Sequence, residues 1–130
     1  MFTHNYVICV KDTDATGRLY FLSQMQIAIE SFETFLRTQN FSIASMIKEN
    51  KFLMPIVHTE ADFFSPLELG DEVEVKFHIR LGTKSFTCES EFFCKGNRVG
   101  TVSIVHVVVS NGKSIVIPKE LEIVFEGLRA

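Results

Sequence analysis

One long helical stripe followed by four strand-like segments in a row dictates what this chain can become. Met25, Ala28, Ile29, Phe32, Phe35 and Leu36 recur at spacings of three and four, so they share one face of a helix. From residue 53 the texture changes. Four segments, roughly 53–65, 71–81, 85–95 and 98–109, are rich in β-branched and aromatic residues. Pro66 and Gly70-Asp71 separate the first two, Gly82-Thr83-Lys84 the next two, and Gly96-Asn97 the last two. That last separator has the chemistry of a tight hairpin turn. A further strand, Asn5–Lys11, precedes the helix, and a short helix from Ser42 to Glu49, capped by Ser42, follows it. Asn111-Gly112 marks another turn, and Pro118-Lys119-Glu120 opens a short terminal helix. Ser23 and Gln26 have the spacing of a capping box, which would start the long helix near residue 24. This order predicts an α+β domain in which a curved antiparallel sheet of about five strands wraps around one long central helix.

A length of 130 residues fits one domain, 1–130, with one hydrophobic core. Core material is ample, since 46% of the residues are apolar and 13 are phenylalanine. The formal net charge of -3 argues against a nucleic-acid partner. It leaves room for an anionic ligand, because a few local Lys and Arg residues can still hold phosphate. No apolar run approaches the roughly 20 residues that span a bilayer. The start, Met-Phe-Thr-His-Asn-Tyr, lacks the basic segment and apolar stretch of a signal peptide. Cys9, Cys88 and Cys94 are odd in number and scattered, so they form neither a disulfide framework nor a paired zinc motif. A reducing, cytoplasmic setting is expected. His4, His58 and His106 add no convincing metal site to these isolated cysteines. There is no phosphate-loop or dinucleotide fingerprint, so no nucleotide cofactor is expected.

The loop between first strand and helix reads Asp12-Thr13-Asp14-Ala15-Thr16-Gly17-Arg18-Leu19-Tyr20-Phe21. It resembles the D-x-D-x-x-G-x-[VL]-[YF]-[FHY] signature of hotdog proteins of the 4-hydroxybenzoyl-CoA thioesterase family, at the same place in the element order. Pro55-Ile56-Val57-His58-Thr59-Glu60-Ala61-Asp62-Phe63, with Pro66 and Gly70-Asp71, is similar to the family's second strand and turn. Thr83-Lys84-Ser85-Phe86 is similar to its later [RK]-S-F turn. Within the family, the wording is similar to that of 1,4-dihydroxy-2-naphthoyl-CoA thioesterases of quinone biosynthesis. Arg18 departs from the aliphatic residue of many relatives, and Phe21 stands where short-chain acyl-CoA relatives carry His.

The resemblance implies a hotdog fold and hydrolysis of an aromatic acyl-CoA, with 1,4-dihydroxy-2-naphthoyl-CoA as the preferred candidate. Other acyl-CoA or acyl-carrier-protein thioesters, or acyl-CoA binding without turnover, are the alternatives. A hotdog hydratase needs a paired Asp and His on the helix, and no His lies between His4 and His58. The catalytic carboxylate would be Asp14, attacking the thioester directly or serving as general base on water. The backbone N–H of Phe21 would stabilise the oxyanion. This requires Phe21 in the first helical turn, in conflict with the capping-box start near residue 24, and the resemblance is preferred to the capping box. The local reading of Asp14 is a turn residue bonding its own backbone. Gly17 would permit a positive φ and close approach of substrate, with Tyr20 beside it. His58, Glu60 and Asp62 share one side of a strand. They would be a polar row facing solvent or a subunit contact, the reading preferred for Asp62, or, for His58 and Glu60, hydrogen-bonding groups that reach the acyl pocket. Asp12 would be a loop or capping residue. Glu30 would be structural, since Asp14 makes a helix carboxylate redundant. Lys84, Ser85 and Phe86 would either form a hairpin turn with a solvated lysine and a buried phenylalanine or line the substrate groove, with Lys84 near the CoA phosphates and Arg80 and Arg98 as further cations. CoA would enter as part of the substrate, with no resident cofactor. Exposed sheet edges and the family's architecture imply a homodimer or tetramer, Asp14 coming from one subunit and Lys84–Phe86 from another.

Overall fold

Strand β3 (Glu72–Leu81) buries Val73, Val75, Phe77 and Ile79 and turns the intervening residues outward, the alternation of a sheet covered on one face. The computed structural model describes residues 1–129 and places five such strands in one sheet. The others are β1 (Phe2–Val7), β2 (Ile56–Phe63), β4 (Ser85–Cys94) and β5 (Asn97–Val107). Their order is β1-β3-β4-β5-β2, antiparallel throughout. Helix α1 (Phe21–Thr38) packs on the covered face, followed by α2 (Ile43–Lys48). A small hairpin of β6 (Val109–Ser110) and β7 (Lys113–Ser114) leads to α3 (Lys119–Phe125). This is the helix-in-sheet α+β architecture that the stripe and strand order predict.

The stripe itself is rotated from its predicted centre. Ser23, Gln24, Ile27, Ala28, Ser31, Phe32, Phe35 and Leu36 are the buried residues, whereas Met25 and Ile29 only flank them. The amino-terminal half of α1 packs Ile27 and Ala28 on Val75, Phe92, Val102 and Ile104. Its carboxy-terminal half packs Phe32, Phe35 and Leu36 on Phe77, Ile79 and Phe86, and α3 closes that end with Leu121 and Phe125. Burying each of the large side chains, such as Ile27, Phe32 and Leu36, contributes about 1.5–3 kcal/mol, so the two clusters hold both halves of the helix against the sheet.

Several boundaries move for identifiable reasons. The helix begins at Phe21, not near residue 24, because Tyr20 is fixed as N-cap by its N–H, which donates to the Asp12 carbonyl at 2.8 Å. Ser23 is then inside the first turn and buried, so the Ser23–Gln26 capping box does not form. The first strand ends at Val7, and residues 10–12 make a single 3-10 turn. The β4–β5 turn is Lys95-Gly96, one residue before the predicted pair, with φ of 52° and 79° and Cys94 paired to Asn97. Ser42 caps α2 as expected, accepting from the Ser45 N–H at 3.1 Å.

Strands β1 and β2 are the sheet's edges. In β2 only Ala61 is even half-buried. Ile56, Val57 and Phe63, with Phe64 beyond them, expose 44–58% of their surface, an uncovered apolar edge.

Candidate active site

Asp12 anchors both ends of the loop that enters α1. Its side chain is 4% exposed, and Oδ2 accepts from the Tyr6 hydroxyl at 2.7 Å and the Cys9 N–H at 2.8 Å. With its carbonyl holding Tyr20, one residue ties β1, the loop and the helix start together. Between these anchors the chain doubles back: the Asp14 N–H donates to the Arg18 carbonyl at 2.9 Å, and the Gly17 N–H to the Asp14 carbonyl at 3.1 Å. Gly17 sits at φ +77°, which is why glycine serves there.

Asp14 rides on this turn. Its Oδ1 accepts from the Thr16 N–H at 2.8 Å and the Thr16 hydroxyl at 2.5 Å. The local turn-residue reading is therefore true of one oxygen. The other, Oδ2, has no donor among the described residues. The Thr16 hydroxyl and N–H, with a smaller contribution from Arg18, hold the carboxyl below the usual carboxylate range. Asp14 is consequently an anion at neutral pH with one free oxygen. It is also exposed in the single chain.

The helix start offers the complementary charge. Tyr20 provides no side-chain cap, so the Phe21 N–H opens α1 uncapped at the positive end of the helix dipole. Tyr20 and Phe21 are 41% and 53% exposed, their rings edge to face at 4.9 Å. Beside them is a cavity of about 280 Å³ lined by Leu19, Phe21, Gln24, Phe63, Phe64, Ser65, Pro66 and Leu67. An anionic carboxylate, an uncapped helix terminus and an aromatic recess thus belong to one stretch of chain and the strand end behind it. Attack on a carbonyl, stabilisation of the resulting oxyanion and seating of an apolar substituent call for groups of these three kinds.

The remaining predicted residues do not join this group within one chain. Phe86 is fully buried, packed on Phe32, His106 and Phe125, and so is a core residue and not a groove residue. Lys84 and Ser85 precede it at the β3–β4 turn, by the carboxy-terminal half of α1 and α3, whereas Asp14 is at the amino-terminal end. Lys84 is exposed and has no acidic partner among the described residues. His58 and Glu60 are exposed, 3.9 Å apart. Glu60 and Asp62 line a groove with Arg80, Glu89, Glu91 and Arg98 on the sheet's outer face, away from α1. They therefore do not reach the recess of their own chain. Arg80 is paired with Glu89, and Arg98 with Glu91 at 2.9 Å, so both cations are already engaged. Glu30 lies 2.8 Å from His4 Nε2, tying α1 to β1 as a structural residue. Among the described residues no group of three or more His, Cys, Asp or Glu side chains could hold a metal ion. Gln24, Phe63 and Phe64 were not anticipated. A polar residue four positions before Ala28, on the apolar stripe, was the available signal for the first.

Comparison with known proteins supplies the family context. Residues 9–125 match the family described as the thioesterase-like superfamily. A 1,4-dihydroxy-2-naphthoyl-CoA hydrolase from Synechocystis is 32% identical over 91 residues, covering 69% of this chain and 66% of that protein, just under two thirds of its length. The crystal structure of a 1,4-dihydroxy-2-naphthoyl-CoA thioesterase from Synechocystis superposes with a TM-score of 0.92 at 26% identity, covering 98% of this chain and 96% of the other. A gentisyl-coenzyme A thioesterase superposes with a TM-score of 0.84 at 25% identity, covering 96% and 99%.

Proposed function

This chain belongs to the thioesterase-like superfamily, and from that premise we propose that it hydrolyses an acyl-CoA thioester where the Asp14 loop meets the first turn of α1. The observation that carries this reading is the free Oδ2 of an anionic Asp14, on a loop whose far end is the N-cap of an uncapped helix. The scissile carbonyl would lie between them. Asp14 attacks its carbon or takes a proton from the attacking water, and both routes start from the same ionised group. Charge developing on the carbonyl oxygen meets the Phe21 N–H and the helix dipole. Loss of one such donor typically costs ~10²–10³ in rate. Phe21 has no ionisable side chain, so its contribution is the backbone alone.

The acyl group we propose is aromatic, and 1,4-dihydroxy-2-naphthoyl is the first candidate. Phe21, Phe63 and Phe64 give the recess aromatic walls, and similar proteins carry 1,4-dihydroxy-2-naphthoyl-CoA and gentisyl-coenzyme A in their names. The working unit is a homodimer or a tetramer built from it. The unpaired edge of β2 and the exposed Tyr20, Phe21, Leu22, Ile56, Val57 and Phe63 form a surface that a second copy would cover. Such a copy would enclose Asp14 and bring in Lys84 and Ser85 from the opposite end of the other chain. Lys84, free of acidic partners, would meet the CoA phosphates. No helix among the described residues is long and apolar enough to cross a membrane. The three thiols are free, and we keep a reducing, cytoplasmic compartment as part of the proposal.

Acyl-CoA binding without turnover is the competing reading, favoured by the exposure of Asp14 in the single chain. Release of free CoA thiol from a panel of aromatic and aliphatic acyl-CoAs separates the two. Turnover fastest on a hydroxylated aromatic thioester is the expected result. Binding with no thiol release from any member would overturn the hydrolase.

A further inference from the structure

Gln24 occupies the fourth position of α1, on its buried face, and is 2% exposed. Its Nε2 donates to the carbonyl of Asp62 in β2 and to that of Thr101 in β5, both at 3.1 Å. These two acceptors use both N–H bonds and fix which way the amide points, since a flipped amide would set oxygen against two carbonyl oxygens. Oε1 is thereby left as an acceptor beside Gly100 of β5, and no donor among the described residues reaches it. No fully enclosed side-chain oxygen or nitrogen among the described residues lacks a partner, so Oε1 must open onto free space. The cavity that Gln24 lines is the aromatic recess beside Phe21. The seat is built for the amide: a Cβ on Gly100 would lie 2.7 Å from Nε2, and 2.9 Å from both Oε1 and the Asp62 carbonyl.

Resting on the hydrolase reading above, we infer that Gln24 is a specificity-determining residue whose Oε1 accepts a hydrogen bond from a ring hydroxyl of the acyl group. The recess has mainly apolar walls, with Ser65 among them, and Gln24 supplies an immobile acceptor. An aromatic ring without a donor would strip water from Oε1 and return nothing, and a ring bearing an ether or carboxylate oxygen would be repelled. A phenolic hydroxyl satisfies the acceptor while its ring lies against the phenylalanines. The preference is thus set by a residue that takes no part in bond breaking.

The test compares two thioesters that differ by one hydroxyl, 1-hydroxy-2-naphthoyl-CoA and 2-naphthoyl-CoA, on the parent and on Gln24→Met. The parent is expected to favour the hydroxylated substrate in kcat/KM by about 10- to 100-fold, the range of one unpaired buried acceptor. Gln24→Met is expected to collapse that ratio towards one, through loss on the hydroxylated substrate alone. An indifferent parent overturns the inference. So does a variant that keeps the ratio, or one that slows both substrates equally, which would make Gln24 a water-positioning residue. Because Met leaves two strand carbonyls unpaired and can unfold the chain, a second measurement uses the parent only. The Gln24 side-chain amide resonances of nitrogen-15-labelled protein are followed while 1-hydroxy-2-naphthoic or 2-naphthoic acid is added. Displacement at concentrations about tenfold lower with the hydroxylated acid supports the assignment, and equal responses overturn it. This titration decides the role of Gln24 even if no thioester is hydrolysed, an outcome that would defeat only the hydrolase reading.

Discussion

Asp12 and Asp14 stand two positions apart and have opposite surroundings, which is what lets them divide the work of the loop. Asp12 is buried and spent on Tyr6 and Cys9. Asp14 is exposed and only half engaged, with Thr16 on one oxygen. Thr16 is then the residue that sets the acidity of the proposed catalytic group. A hydrogen-bonded carboxylate is stabilised as the anion, so its activity is retained as pH falls below the ordinary value of 3.8 and is lost only when it protonates. Thr16→Val removes the hydroxyl, the largest cause of the lowered value, and is predicted to move the acid limb of kcat/KM upward. An unmoved limb in the pH–rate profile would show that Asp14 does not govern it. The identities of Asp14, Gly17 and Phe21 were legible because a signature places them. The different parts of the two aspartates were expected as well, but not how Asp12 is held, because its bond to the Tyr6 hydroxyl depends on β1 lying beside the loop.

At the scale of elements, alternation and turn chemistry placed the strands within about two residues for β3, β4 and β5. Local signals mislead where a distant partner decides. Helix α1 starts at Phe21, as the resemblance requires and the Ser23 capping box does not, because of the Asp12 carbonyl; Ser23 looks like a cap only when that carbonyl is unseen. For Phe86 the sequence leaves two readings, a groove residue or a buried phenylalanine beside a hairpin turn, and the core decides for the second, its ring stacking on His106 at 4.8 Å. His106 gives β5 a pH response. Burial lowers its basicity, opposed by its contact with the Met54 carbonyl at 3.0 Å. The unfolded chain therefore binds a proton more readily than the folded one. The stability from this group is full above the ordinary value of 6.5 and declines as pH falls through it, levelling off below the depressed folded value. Urea unfolding between pH 7.5 and 5 should show this decline, and His106→Phe, which cannot take a proton, should flatten it. A parent slope equal to that of the variant would mean that His106 is not the sensor.

For the whole molecule, what the sequence could not disclose is which surface is left unfinished. The single chain leaves the β2 edge unpaired and Asp14 open to water, although its two cores are closed by α1 and α3. Sedimentation at micromolar concentration is predicted to show a dimer or a larger even assembly, with specific activity falling when the protein is diluted until it dissociates. A monomer of undiminished activity would contradict the shared site. The most direct trial of the account is steady-state hydrolysis of the best aromatic acyl-CoA by Asp14→Asn, with melting and sedimentation measured alongside. The account predicts a kcat lower by about 10²–10⁴ with fold and assembly unchanged, since the substituted side chain lies exposed on a turn and supports no core. A variant that releases CoA as fast as the parent would contradict it.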